Sequence, residues 1–398
     1  MSKARDSNRY NSAMRSVLIV VAIFGGSAYA APPDNAIVTL PMLESDVLFA
    51  AFSRDGRRFV AGEELGGVTI WDVNTGTLVR DLTFTEPLPP PKKGEDFAVP
   101  PPGTLFVGGM TQAVAISHDG SMAAAAHEWG RYDPNQIPSG LKLLGIRART
   151  WRIQDGRELA NYDNHRQRIR AMTFNPAATL VSTLDDSFRL AVWESRTGRE
   201  RMAFGGGDQI GQAGPFESGR ACFDVAGTHA ASTLSVVLPN ERAEPPTLRL
   251  WDVHTCKMRS IVAPPELGGY GFSTVTVFPD GRFAAARIPS GIMLFPFDKT
   301  KPTRRISLAP SIAGGGFEPN IDGSHFLGWG GYEGLWLIRA SDGHVQAVPR
   351  KVTGRIRAVC WLKDRALVAS GGYRLPDGPV LPGKRDPISF WSIPVPLP

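Results

Sequence analysis

The stretch Ala50-Ala-Phe-Ser-Arg-Asp-Gly-Arg-Arg-Phe-Val-Ala-Gly62, followed by Val68-Thr-Ile-Trp-Asp-Val-Asn-Thr-Gly76, decides how the chain folds. Three short apolar runs alternate with tight turns. Val47 to Phe52 reads as one strand, Arg54-Asp55-Gly56 turns it, and Arg58 to Ala61 runs back. Val68 to Val73 makes a third strand, Asn74-Thr75-Gly76 turns again, and Leu78 to Leu82 completes a fourth. Alternating apolar residues bounded by Asp-Gly and Thr-Gly are the chemistry of strands and hairpins. Four strands cannot bury both their faces alone, so the unit needs neighbours of its own kind.

Those neighbours recur along the chain. A second copy has Ala115-Ile-Ser-His-Asp-Gly120 with Thr150-Trp-Arg-Ile-Gln-Asp-Gly156, and a third has Met172-Thr-Phe-Asn-Pro176 with Val192-Trp-Glu-Ser-Arg-Thr-Gly198. The fourth pairs Cys222-Phe-Asp-Val-Ala-Gly227 with Leu250-Trp-Asp-Val-His-Thr255, and the fifth pairs Val277-Phe-Pro-Asp-Gly281 with Phe295. Asn320-Ile-Asp-Gly323 with Leu335-Trp336 is the sixth. Cys360-Trp-Leu-Lys-Asp364 with Phe390-Trp391 is the seventh. Where nothing is inserted, the key aromatics lie 42 (Trp151 to Trp193), 44 (Trp251 to Phe295) and 41 (Phe295 to Trp336) residues apart. That is the period of a four-stranded propeller blade.

At these residues the chain resembles the WD40-repeat family. The dipeptide Trp-Asp occurs at Trp71 and Trp251, and the turn Phe-Ser/Pro-x-Asp-Gly follows Phe52 and Phe278. His165 stands 28 residues before Trp193, about where that family places a Gly-His pair. The resemblance implies a blade staple of His165, Thr183, Asp186 and Trp193. Asn164 replaces the family's glycine, and the other repeats lack the histidine. It implies an all-β fold over residues 31–398: a seven-bladed β-propeller of four-stranded antiparallel blades. In such rings the N-terminal strand commonly joins the last blade, which removes an exposed sheet edge. Ile37-Val-Thr-Leu40 is the natural candidate. Because this fold hosts unrelated activities, the resemblance does not name one.

Residues 1–30 read as a signal peptide. Lys3, Arg5, Arg9 and Arg15 precede the apolar run Val17 to Phe24, and Ala28-Tyr-Ala30 precedes Ala31-Pro-Pro33. Basic, apolar and small-residue segments in that order predict cleavage near Ala30-Ala31 and export to the periplasm, cell envelope or exterior. The apolar run is too short for a stable membrane span, and Met14 is a second possible start. The leader carries net +3 of the chain's formal +6, counting Asp6 against its four basic residues. So mild a remainder, without a binding motif, argues against nucleic acid as partner. Three cysteines, Cys222, Cys256 and Cys360, without regular spacing are no disulfide framework, although one Cys222–Cys256 bridge stays open. The 43 glycines and 33 prolines suit a protein built of turns.

Functional information lies in connection length. The turns between first and second strands, and between third and fourth, are short in every repeat. The insertions fall in the other two connection types, at 86–103, 127–144, 205–219, 238–246 and 373–387. In a propeller these project from one face of the disc, and long loops on a rigid scaffold are where binding usually lives. Two insertions carry aromatic and charged clusters: His127, Glu128, Trp129, Arg131, Tyr132 and Asp133 in repeat two, and Tyr373, Arg374, Asp377, Lys384 and Arg385 in repeat seven. Trp, Tyr and Arg dominate recognition surfaces, so these residues are the candidate binding set. Trp129 capping a hydrophobic rim is the competing reading. Arg166, Arg168 and Arg170 alternate, as an anion-holding row or a solvated strand edge.

No catalytic residue, metal ligand set or cofactor is assigned. There is no Gly-x-Ser-x-Gly turn, the cysteines have no evident histidine partner, and the histidines lack ligand spacing. Gly205-Gly-Gly207 and Gly314-Gly-Gly316 lack the Lys-Ser/Thr of a phosphate loop. The expected role is a non-enzymatic scaffold that binds a protein partner through the long-loop face. The alternative is an exported propeller enzyme, lactonase-like or quinoprotein dehydrogenase-like, with a small-molecule site in the central channel. Convergent His, Asp and Glu in that channel would favour the enzyme.

Overall fold

A computed structural model describes residues 36–41, 43, 45–64, 66–82, 110–132, 141–187, 189–204, 220–223, 229–234, 247–252, 257–262, 272, 274–309, 316–329, 334–348, 352, 355–371 and 387–394. The chain divides into Met1–Asp34 and Asn35–Pro398, and every described residue belongs to the second unit. Residues 1–35 and most of the insertions lie outside the described residues.

The strand β1 (Val38–Thr39) comes first. Repeat one follows with β2 (Val47–Phe52), β3 (Arg58–Glu63), β4 (Val68–Asp72) and β5 (Leu78–Asp81). Repeat two has β6 (Met110–Ile116), β7 (Met122–Tyr132), β8 (Leu141–Arg152) and β9 (Glu158–Tyr162). Repeat three has β10 (Ile169–Phe174), β11 (Leu180–Asp185), β12 (Leu190–Glu194) and β13 (Glu200–Phe204). Repeat four has β14 (Arg220–Phe223), β15 (His229–Leu234), β16 (Thr247–Asp252) and β17 (Lys257–Val262). Repeat five has β18 (Val275–Val277), β19 (Phe283–Ile288), β20 (Gly291–Pro296) and β21 (Arg304–Ser307). Repeat six has β22 (Phe317–Pro319), β23 (His325–Trp329), β24 (Leu335–Arg339) and β25 (Val345–Ala347). Repeat seven closes the list with β26 (Ile356–Trp361), β27 (Arg365–Ser370) and β28 (Ser389–Pro394).

Among the described residues these strands pair into seven four-stranded sheets. Repeats one to six each pair in chain order, and the remaining sheet runs β1-β28-β27-β26. The pairings are antiparallel, as hairpin connections require. Each sheet's first strand touches the first strand of the next, from β2 to β6 onward, and β26 touches β2. The molecule is an all-β propeller of four-stranded antiparallel blades. In the last sheet Val38 opposes Phe390 and Thr39 opposes Ser389. Ile37 N–H donates to Phe390 O at 2.7 Å and Leu40 N–H to Ile388 O at 2.8 Å.

The cores lie between blades rather than within them. Phe59, Trp71, Leu367 and Phe390 share one cluster across the first and last sheets, while Met122, Tyr162, Phe174 and Trp193 share another across the second and third. Phe59 and Phe390 are fully buried with ring centroids 5.0 Å apart. Burying such a side chain stabilises by roughly 1.5–3 kcal/mol, and each blade obtains that burial only from its neighbours.

The turns explain why the repeats begin where they do. In Ser53-Arg54-Asp55-Gly56, Gly56 N–H donates to Ser53 O at 2.9 Å, while Asp55 Oδ1 accepts from Ser53 Oγ at 2.6 Å and Arg57 N–H at 3.0 Å. Repeat three rebuilds the turn without aspartate or glycine. Asn175 Oδ1 accepts from Thr179 and Leu180 N–H, both at 2.9 Å, and Ala178 takes the glycine's place at φ 54°. A non-glycine residue there is strained, so the Asn175 bonds hold a conformation that Ala178 alone disfavours.

Candidate functional site

The two strands of the repeat-two hairpin are far longer than their counterparts. β7 has 11 residues and β8 has 12, whereas β11 and β12 of repeat three have 6 and 5. Pairing runs unbroken from Met122↔Arg152 to Trp129↔Gly145, shifts by one residue, and continues to Tyr132↔Leu141. At about 3.3 Å per residue, the five pairs beyond His127 extend a two-stranded ribbon by about 15 Å. The shift is a bulge, which bends a strand pair and re-aims what lies beyond it. Trp129, Arg131 and Tyr132 therefore lie on a paired strand, not in the open loop expected from sequence. Asp133, Tyr373, Arg374, Asp377, Lys384 and Arg385 lie outside the described residues.

His127 and Glu128 form the root of this ribbon, and their placement corrects the expectation of an exposed recognition cluster. Both are buried, 2% and 0% exposed. Neighbouring positions on a strand face opposite sides, so the two look into different cores. His127 meets the Trp151 ring edge-on at 6.4 Å. Burial pushes its imidazole down to about 3, which keeps it neutral. On the other face, Glu128 Oε1 accepts from Gln112 Nε2 at 2.8 Å, and Oε2 pairs with Arg168 Nε at 2.7 Å. Burial raises the Glu128 carboxyl, against the opposing pull of Arg168 and Arg170. Arg170 in turn binds Asp186 through two bonds of 2.5 and 2.9 Å. The alternating arginines thus divide: Arg166 is exposed, Arg168 joins blade three to blade two through Glu128, and Arg170 pairs with Asp186 within blade three.

The staple of blade three differs from expectation by one residue. His165 Nδ1 lies 2.6 Å from Asp185 Oδ2, and His165 Nε2 lies 2.7 Å from Thr183 Oγ1. Trp193 Nε1 donates to the same Thr183 oxygen at 3.3 Å. The carboxylate is Asp185, not Asp186, because Thr183 and Asp185 share one strand face and Asp186 falls on the other. Asp185 also closes the hairpin. Its Oδ1 accepts from Ser187 N–H at 2.8 Å, Ser187 Oγ at 2.6 Å and Arg189 N–H at 3.0 Å. Tyr162 completes the enclosure, stacked 5.3 Å from Trp193 and edge-on to His165 at 5.4 Å. Blade seven repeats the last link of that chain, Trp391 donating to Ser370 of the adjacent strand at 2.9 Å, whereas in blade one Trp71 donates to Thr69 of its own strand at 2.9 Å.

A central channel of about 580 Å³ runs between the first strands. Ala113, Val114, Thr173, Val275 and Val359 are among its walls, and its titratable lining includes Arg54, His118, Arg170, Arg355, Arg357 and Glu318. His118 and Glu318 come from different blades. Cys360 is buried in its wall as a free thiol, pushed up to about 12 chiefly by burial. Cys222 stands on β14, and Cys256 lies outside the described residues. Among the described residues no helix is long and apolar enough to cross a membrane.

No protein-family model matches the sequence. No curated protein matches it either. Among solved structures, the chain is similar to the Cps50 (Swd1) beta-propeller domain from Myceliophteria thermophila, with a TM-score of 0.58 and 13% sequence identity, covering 91% of this chain and 100% of that one. At that identity the likeness is one of fold, and it places this chain among the β-propellers.

Proposed function

We propose that the protein is a seven-bladed, WD40-like propeller that is exported and acts as a non-enzymatic scaffold. It binds a protein partner through the face from which the blade-two ribbon extends. The ribbon carries the reading. A rigid ring supplies a fixed base, and a hairpin of twice the usual strand length has no part in closing the ring. Long hairpins on rigid frames serve recognition, and this one bears Trp129, Arg131 and Tyr132, residue types that concentrate interface energy. A photoreactive residue at position 132 should cross-link a partner in the cell envelope, while the same residue at Arg201, on the outer strand β13, should not. Equal cross-linking from both positions would sink the assignment.

The seven sheets are read as one ring, with β1 as the fourth strand of its last blade. Deleting residues 36–41 removes the partner of β28 and bares Phe390. The expected result is loss of the single cooperative melting transition, and an unchanged transition would refute the closure. Export predicts a mature N-terminus at Ala31, which terminal sequencing of the envelope protein would test.

A further inference from the structure

In repeats one, two, five and six the turn after the inner strand places its second residue on the face opposite the ribbon. In repeats one and two that residue is Arg54 and His118; in repeats five and six it is Pro279 and Ile321. All four line the channel. At these four positions the mouth carries cations from blades one and two and apolar side chains from blades five and six, with Glu318 on the blade-six inner strand of the same channel. We propose that the mouth binds a carboxylate carried on an apolar stem, with the carboxylate between Arg54 and His118 and the stem against Pro279 and Ile321.

Three observations bear on this. First, the two cations are held in place by their backbones: Arg54 N–H and Asp55 N–H both donate to His118 O, at 3.1 and 3.3 Å. Blade one and blade two thus present the two side chains as one unit. Second, the acidic residues of the same turns are already engaged. Asp55 Oδ1 accepts from Ser53 and Arg57 N–H, and Asp119 Oδ1 accepts from Ser117 at 2.7 Å and from Ser121 N–H at 3.0 Å. Arg54 and His118, both half-buried, spend no side-chain bond on another described residue. Third, Ile321 is 46% exposed, one of four large apolar side chains so exposed among the described residues. It stands at the channel opening with nothing described to cover it.

The charges agree with that geometry. Burial holds the His118 imidazole below its ordinary value and the Arg54 charge lowers it further, with Asp119 pulling the other way. A carboxylate bound between them offsets the Arg54 repulsion and pairs with the imidazolium, so binding raises the His118 titration midpoint and strengthens as pH falls. A guanidinium with an imidazolium suits a carboxylate through charge-assisted hydrogen bonds.

The test is NMR titration of the histidine ring protons in the full chain, with His118 assigned from the spectrum of His118→Gln. The probes are octanoate, its neutral analogue octanamide, and the dipeptide N-acetyl-Ala-Leu as free acid and as amide. Either acid should move the His118 midpoint upward, and neither amide should. Arg54→Gln, checked for an unchanged melting transition, should weaken acid binding about tenfold or more. Ile321→Ser should weaken octanoate and leave acetate unchanged. Response to both acids identifies a small organic acid as sufficient, and response to the dipeptide alone identifies a peptide C-terminus; both results support the site. No midpoint shift with either acid would overturn it. So would equal binding of octanamide, or undiminished binding by a folded Arg54→Gln chain.

Discussion

Blades two and three are neighbours built from the same repeat, and they use the same strand position in opposite ways. In blade three, Val181, Thr183 and Asp185 share the face of Trp193, and Asp185 ends the strand by bonding both the staple and the hairpin turn. In blade two, Ala123, Ala125 and His127 share the face of Trp151. His127 accordingly stands where Asp185 does. A neutral, buried imidazole offers no carboxylate to gather turn amides, and the two strands run on into the ribbon. Asp185 seals the blade-three hairpin and His127 stands at the root of the projecting one, but a carboxylate at that position is not required for a tight turn: in blade five Ile288 holds it and pairs directly with Gly291.

The largest effect should come from the sealed blade. Trp193 is fully buried and packs on Tyr162 across the interface between blades two and three. Trp193→Ala should cost about 3–5 kcal/mol by chemical denaturation. A loss near that of an exposed substitution would mean the staple is ornamental. The next test separates two adjacent carboxylates. Asp185→Ala strands His165 and the turn amides in a dry site and should cost about 2–4 kcal/mol. Asp186→Ala removes only the part-buried pair with Arg170 and should cost about 1 kcal/mol. Equal losses would erase the distinction that strand alternation draws between them.

The root of the ribbon should respond to pH in two opposed ways. His127 is held down to about 3 in the fold, below its ordinary 6.5. Its contribution to stability is therefore present above pH 6.5 and lost as pH falls toward 3. Glu128 is raised above 4.5, so its contribution is present below that value and lost as pH rises through the raised one. His127→Gln should accordingly flatten the acid side of the melting curve against pH. Glu128→Gln should remove the loss of stability that sets in as pH rises above 4.5. If both variants track the parent chain at every pH, the root is not buried as described.

Much of this architecture was legible in the residues. The Asp-Gly and Thr-Gly turns and the 41- to 44-residue spacing of the aromatics located the blades, because turn chemistry and strand alternation are local. The staple's histidine, threonine and tryptophan were legible through the resemblance to the WD40-repeat family. The carboxylate was not, although parity from Thr183 selects Asp185 over Asp186 without any structure. The burial of His127 and Glu128 was hidden for a different reason. A charged pair beside tryptophan reads as loop surface, and only the pairing of β7 with β8 shows that the strand continues through it. Arg168 meets the buried Glu128 carboxylate from another blade, which no local pattern reveals. The channel mouth escaped notice because Arg54, His118, Pro279 and Ile321 are unlike one another and meet only when the ring forms.

In the proposed function the sealed blade supports the ring while the extended one binds. The most direct test shortens the ribbon, replacing residues 130–142 with Asn-Gly, and compares partner cross-linking in the cell envelope with that of the full chain. The predicted result is a melting transition within about 1 kcal/mol of the parent with the cross-linked partner gone. A folded, trimmed chain that still captures the same partner would contradict it.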